Sequence, residues 1–188
     1  ALARCGLDPD QPTITITGGS QGSLAINRTV ALWLAAGGGF GRQVLWATGR
    51  ATHAEFATFH HPPAVQVIPF IDPMADAWAV STLAITRAGM MTQAELAAWG
   101  IPALLVPLPS AAADHQTHNA RAAEAAGAAL WLPQSAFTPE RLESEWAALL
   151  GEPGRRAAMA AAARVRGRPD AARGIATRVV NLAVGTGG

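Results

Sequence analysis

Short runs rich in Val, Ile and Leu recur along the chain, at residues 13–17, 43–48, 65–70, 83–86, 103–107 and 129–132. Between them lie amphipathic stretches at about 23–36, 52–59, 73–80, 92–99, 114–126 and 139–150. This alternation predicts an α/β fold, with a parallel sheet covered by helices on both faces. Two further helices are expected, at about 154–166 and 170–184. Gly151-Glu152-Pro153 and Gly167-Arg168-Pro169 separate them with helix-breaking residues. The reading is a single domain over 1–188, with a core of about 12–150 and C-terminal helices at about 154–184. No internal repeat is visible, and the final "GTGG" is expected to fray.

Composition narrows the class. Half of the 188 residues are hydrophobic, enough for a sizeable core, and only 14% are charged, against a usual level of about 25%. The net charge of +1 gives no case for nucleic acid as a partner. Every basic residue is Arg. The cluster from Arg155 to Arg173 reads either as a solvated helical face or as an anion patch. Cys5 is alone, which excludes a disulfide framework and a Cys-based metal site and suits a reducing cytoplasm. No apolar run reaches the roughly 18 residues of a membrane span, and no signal peptide is visible. The opening "ALARCGLDPDQP" begins with Ala rather than Met. The expectation is a fragment, or a domain cut from a longer chain.

In open α/β sheets, ligands sit at the carboxyl ends of the strands. Four places pass that filter. The first is "TITITGGSQGSLAIN", Thr13 to Asn27. Gly18 and Gly19 permit a tight turn, Ser20 adds a small hydroxyl, and the amides entering the helix suit a phosphate or a sugar hydroxyl. A plain βα turn explains the same residues. The second is "VIPFID", where backbone groups at Phe70 and Ile71 could pair with the edge of a flat base. Alternatively, Asp72 caps a helix begun by Pro73. The third is "TRAGMMTQAELAAWG". Gly89 precedes a helix start, a second ready-made anion site. Glu95 either closes a capping box with Thr92 or accepts hydrogen bonds from a vicinal diol such as a ribose. The fourth is "PLPSAAADHQTHNA". Asp114 is read as an N-cap, and Gln116 as a reader of sugar hydroxyls. His115 and His118 lack a third ligand for zinc. Ser20, Ser110 and Ser135 have no evident His–Asp partners, and "GGSQG" is not the nucleophile elbow.

Together the four sites resemble the C-terminal, donor-binding half of the GT-B glycosyltransferases of family 28 that make lipid II in bacterial cell walls. The resemblance runs from about Leu7 to about Val184. It rests on "GGSQG" with Asn27, "FID" with Met74, "RAGMMTQAELAAWGIPALLVPLP", "DHQTHNA" and "GAA" near Gly127. It implies a Rossmann-like domain that binds UDP-N-acetylglucosamine for inverting transfer to undecaprenyl-pyrophosphoryl-MurNAc-pentapeptide, lipid I. Carried over by resemblance, Ser20 contacts the donor near its phosphate or sugar, with Gly19 and Asn27 beside it. Ile71 holds uracil through its backbone. Met90, Met91 and Thr92 offer amides to the diphosphate, followed by Gln93 and Ala94 on the same helical turn. Glu95 binds the ribose. Gln116, with His115, reads the sugar hydroxyls. Met90 departs from the small residue often found at its position.

The resemblance also implies what this sequence lacks. The family's N-terminal half carries "GGTGGH", the catalytic His, a phosphate-binding Arg, and the acceptor and membrane surfaces. None occurs here, so no catalytic residue is assigned and the chain alone is expected to be inactive. No DxD motif occurs, and no metal or other cofactor is expected. The full-length protein is expected on the cytoplasmic face of the inner membrane, with lipid I and the membrane met only through the other half. Three other readings stay open: a stand-alone UDP-sugar-binding subunit needing a separate acceptor-domain partner, a UDP-GlcNAc 2-epimerase-like enzyme, and a flavodoxin-like or dinucleotide-binding module.

Overall fold

A computed structural model describes residues 1–39 and 41–185. The last three residues of the "GTGG" tail therefore lie outside the described residues. Six strands, β1 Thr13–Thr17, β2 Gln43–Ala47, β3 Val65–Ile68, β4 Leu83–Thr86, β5 Ala103–Leu105 and β6 Ala129–Trp131, form one sheet. Its order is β3-β2-β1-β4-β5-β6 and every pairing is parallel. The parallel sheet expected from the alternation is present, in a strand order that fits the Rossmann-like domain implied by the resemblance.

Side-chain alternation explains why helices cover both faces. Ile14, Ile16, Val44, Trp46, Leu83 and Ile85 point to one side. There they pack with Trp33 of α2 (Leu24–Ala35) and Leu142 and Trp146 of α7 (Pro139–Gly151). Ala84, Ala103 and Leu105 point to the other side, against Trp78 of α4 (Met74–Val80), Leu96 of α5 (Met90–Trp99) and Ala120 of α6 (His115–Ala125). Thr138 starts α7 by accepting a hydrogen bond from the Arg141 amide at 3.2 Å, with Pro139 at the first helical position.

Four strands end earlier than the hydrophobic pattern, β2 and β6 by one residue and β3 and β5 by two. β3 stops at Ile68 because Pro69 has no amide to continue the ladder, and β5 stops at Leu105, two residues before Pro107. The four-residue α1 (Leu2–Cys5) has no sequence signal. Its Leu2 and Cys5 pack against the cluster of Leu45, Ile71 and Ala77. A short helix α3 (His53–Phe56) fills the β2–β3 connection. α8 (Pro153–Arg166) packs on α5, whereas α9 (Ala171–Ala183) buries none of its residues. No helix among the described residues is long and apolar enough to cross a membrane.

Candidate functional site

The strand order reverses at β1, whose neighbours are β2 and β4. The loops after β1 and β4 therefore part in opposite directions, and a crevice opens at their carboxyl ends. The loop after β1 is a hydroxyl-anchored turn. Gly19 adopts φ +89°, a left-handed conformation that disfavours side chains. A Cβ on Gly18 would fall 2.3 Å from the Ser23 amide. The Thr17 hydroxyl accepts from the Gly19 amide at 3.2 Å, and Ser23 is the N-cap of α2. Ser20 is exposed at the tip.

After β3, the last ladder hydrogen bond runs from the Thr48 amide to Ile68 O at 3.0 Å. The backbone of Phe70 and Ile71 lies beyond it. Ile71 buries its side chain, while Phe70 is 39% exposed, with the Arg50 guanidinium 5.2 Å from its ring centroid. Asp72 does not cap α4: Pro73 holds the N-cap position, and no side-chain cap forms.

After β4, Gly89 is the N-cap of α5 and makes no side-chain cap. The first intrahelical hydrogen bond runs from the Gln93 amide to Gly89 O at 3.0 Å. The amides of Met90, Met91 and Thr92 precede it, in the turn whose donors have no intrahelical partner. The capping box anticipated for Thr92 and Glu95 is absent. The helix starts at Met90, two residues earlier than its amphipathic pattern, which puts Glu95 past the first turn. Glu95 instead accepts a hydrogen bond from the indole Nε1 of Trp78 at 2.9 Å.

The fourth stretch meets the third at Ala88. Gln116 Oε1 accepts from the amides of Ala88 at 3.2 Å and Leu108 at 3.0 Å. Ala88 O accepts from Gln93 Nε2 at 3.0 Å and Asn119 Nδ2 at 3.3 Å. Three amide side chains thus clamp the turn that presents the α5 amides. Asp114 occupies the N-cap position of α6, but at φ 52° its side chain makes no cap bond. His115 is exposed, with Nδ1 2.8 Å from Ala112 O.

A cavity of about 210 Å³ lies in the crevice, and Gly19, Ser20, Ile71, Thr92 and Glu95 line it together. Of the remaining candidates, Met90 and Met91 flank it through their helix start, with side chains 65% and 75% exposed. Gln93, Ala94, Gln116 and His115 do not line it. Asn27 lies elsewhere. It is fully buried, donates to Thr48 O at 2.7 Å and accepts from Trp46 Nε1 at 2.9 Å. Its amide fastens α2 to β2 and faces no ligand space.

The model of the glycosyltransferase family 28 C-terminal domain matches residues 13–175. The chain belongs to glycosyltransferase family 28. It is similar to the UDP-N-acetylglucosamine–N-acetylmuramyl-(pentapeptide) pyrophosphoryl-undecaprenol N-acetylglucosamine transferase of Salinibacter ruber, with 43% identity across 97% of this chain and 50% of that protein. The transferase of the same name from Alkalilimnicola ehrlichii is 48% identical across 87% of this chain and 46% of its own. The chain spans about half the length of the curated relatives it matches. Among solved structures, MurG of Acinetobacter baumannii superposes with a TM-score of 0.76 at 34% identity, across 88% of this chain and 49% of that one. A UDP-N-acetylglucosamine 2-epimerase superposes with a TM-score of 0.64 at 18% identity, a likeness of fold alone.

Within this family 28 domain, two residues at or beneath the crevice loops escaped the sequence reading. Trp78 lines the cavity and holds Glu95. Its seat on α4 gave no signal beyond an apolar helix position. Arg87 follows β4 directly, so the strand-end filter could have found it. Its buried guanidinium donates to Val106 O at 3.1 Å, Pro107 O at 2.9 Å, Ser23 Oγ at 2.7 Å and Gln134 Oε1 at 2.7 Å. All four acceptors are neutral, and burial pushes the guanidinium pKa down from its ordinary value. Among the described residues, a cation without a carboxylate partner therefore touches the N-cap of α2.

Proposed function

We propose that the chain binds UDP-N-acetylglucosamine for an inverting glycosyltransferase that transfers the sugar to lipid I in peptidoglycan synthesis. The observation that carries this reading is one cavity lined by residues of three strand-end motifs, Glu95 among them. Ile71 offers backbone groups to the edge of uracil. Glu95 accepts hydrogen bonds from the ribose diol, which suits an acceptor-only carboxylate with two oxygens. The amides of Met90, Met91 and Thr92, the Thr92 hydroxyl and Ser20 meet the diphosphate at a helix N-terminus. Gln116, with His115 beside it, meets the sugar hydroxyls from beyond the cavity wall. Fixed amide dipoles stabilise charge that grows on the departing UDP without reorganising during transfer. The positive Arg87 at the N-cap of α2 adds to the same field.

The acceptor, the base that takes its proton and the contact with the cytoplasmic face of the membrane belong, in this reading, to a second half of the protein. The names of the Salinibacter ruber and Alkalilimnicola ehrlichii relatives favour this acceptor over a stand-alone subunit of other purpose.

Calorimetry tests the nucleotide site. Replacing Glu95→Ala should weaken UDP binding by about 1.5–3 kcal/mol, the range for hydrogen bonds to a charged group. It should weaken 2′-deoxyuridine diphosphate less, because one ribose hydroxyl is already gone. Equal losses for both nucleotides would remove Glu95 from the ribose site.

A further inference from the structure

We propose that Trp78 is the positioning residue for Glu95: its indole N–H fixes one carboxylate oxygen and leaves the other aimed at the ribose diol. The inference rests on the nucleotide reading of the cleft. Trp78 is 3% exposed and packed among Ala84, Ala88 and Leu96, so its ring cannot follow a moving carboxylate. Its Nε1 lies 2.9 Å from Glu95 Oε2, and Glu95 makes no other hydrogen bond or ion pair among the described residues. Both side chains line the same cavity.

The choice of partner matters chemically. A glutamate on a helix has several rotamers, and one that swings into solvent must be ordered again whenever a ligand binds. An Arg or Lys partner would order it but would also compete for both oxygens and neutralise its charge. Indole Nε1 is a single neutral donor. It occupies one oxygen, brings no charge of its own and keeps the second oxygen free. α4, which carries Trp78, starts three residues after Ile71. One short element therefore joins the proposed base contact to the proposed ribose contact.

The experiment compares UDP with 2′-deoxyuridine diphosphate by calorimetry, in the 188-residue chain with and without an altered residue 78. Trp78→Phe removes the N–H but shrinks the ring. A second variant places benzothienylalanine at position 78 by stop-codon suppression, which keeps the indole shape and lacks only the donor. In both variants UDP affinity should fall about fivefold, while 2′-deoxyuridine diphosphate changes less than twofold. The thermal midpoint of the benzothienyl variant should stay at that of the unaltered chain. Retained preference for the ribose form in the benzothienyl variant, or an equal loss for both nucleotides, overturns the positioning role. Failure of the unaltered chain to bind UDP at all overturns the nucleotide reading, and this inference with it. The control thus tells the two failures apart.

Discussion

At Gln116, a single substitution would confuse the proposed sugar contact with the contacts that Oε1 makes to the protein. Its Oε1 is committed to the protein, accepting from the amides of Ala88 and Leu108. Only its NH₂ group is left to meet a sugar hydroxyl. Gln116→Ala would strand two backbone donors and loosen the Ala88 turn, so a loss of UDP-N-acetylglucosamine binding in that variant would say little about the sugar. Gln116→Glu separates the roles, because a carboxylate still accepts from both amides but cannot donate. We expect Gln116→Glu to bind UDP as the unaltered chain does and UDP-N-acetylglucosamine about tenfold more weakly. Calorimetry with the two ligands checks this, and an equal loss for both would place Gln116 outside the sugar site. The sequence singled out Gln116 by its amide chemistry. It could not show that half of that amide is consumed by contacts to a turn 28 residues earlier in the chain.

At the scale of elements, β1 and β4 have the bounds their hydrophobic runs predict. Helix starts were less legible. The Thr92–Glu95 spacing resembles a capping box, but the turn at Ala88 and Gly89, held by Gln93, Gln116 and Asn119, begins α5 two residues sooner. Tertiary clamps of this kind leave no local pattern. The same holds for α1, which is too short to form alone. It is held by the bidentate pair of Arg4 with Asp76 on α4, whose Nε–Oδ2 distance is 2.6 Å. The hydrogen bond from Arg4 holds the Asp76 carboxyl below its ordinary pKa. A depressed carboxylate pKa stabilises the docked form above the ordinary carboxylate range, and this contribution fades as pH falls through the lowered value. In an NMR titration, the Asp76 carboxyl carbon should therefore titrate below the usual range for Asp, and Arg4→Ala should return it there. An ordinary midpoint in the unaltered chain would mean that α1 is not docked in solution.

For the whole molecule, the decisive question is what a cleft with this lining can do. The proposed nucleotide contacts, Ile71, Thr92 and Glu95, all line one cavity that the chain builds for itself. Binding of UDP-N-acetylglucosamine should therefore be measurable in the 188-residue chain. The affinity should be modest, because ligand pockets normally enclose about 300–1,000 Å³ and this cavity holds about 210 Å³. Transfer needs more: an oriented acceptor and a base within hydrogen-bond reach of its hydroxyl. None of the five histidines lines the cavity. His53 Nδ1 pairs with the Thr48 hydroxyl at 3.1 Å, and His60 Nδ1 accepts from the Val67 amide at 3.1 Å. His115 turns to Ala112 O, and His61 and His118 are exposed. Glu95, the carboxylate that lines the cavity, is held by the Trp78 indole. We therefore expect the chain to bind donor without making lipid II in a radiolabelled-sugar assay. Supplying an N-terminal half that bears "GGTGGH", fused or in trans, should restore transfer if the two halves dock. Lipid II made by the 188-residue chain alone would overturn this division of labour. It would require one of these histidines to leave its present contacts and reach the cleft.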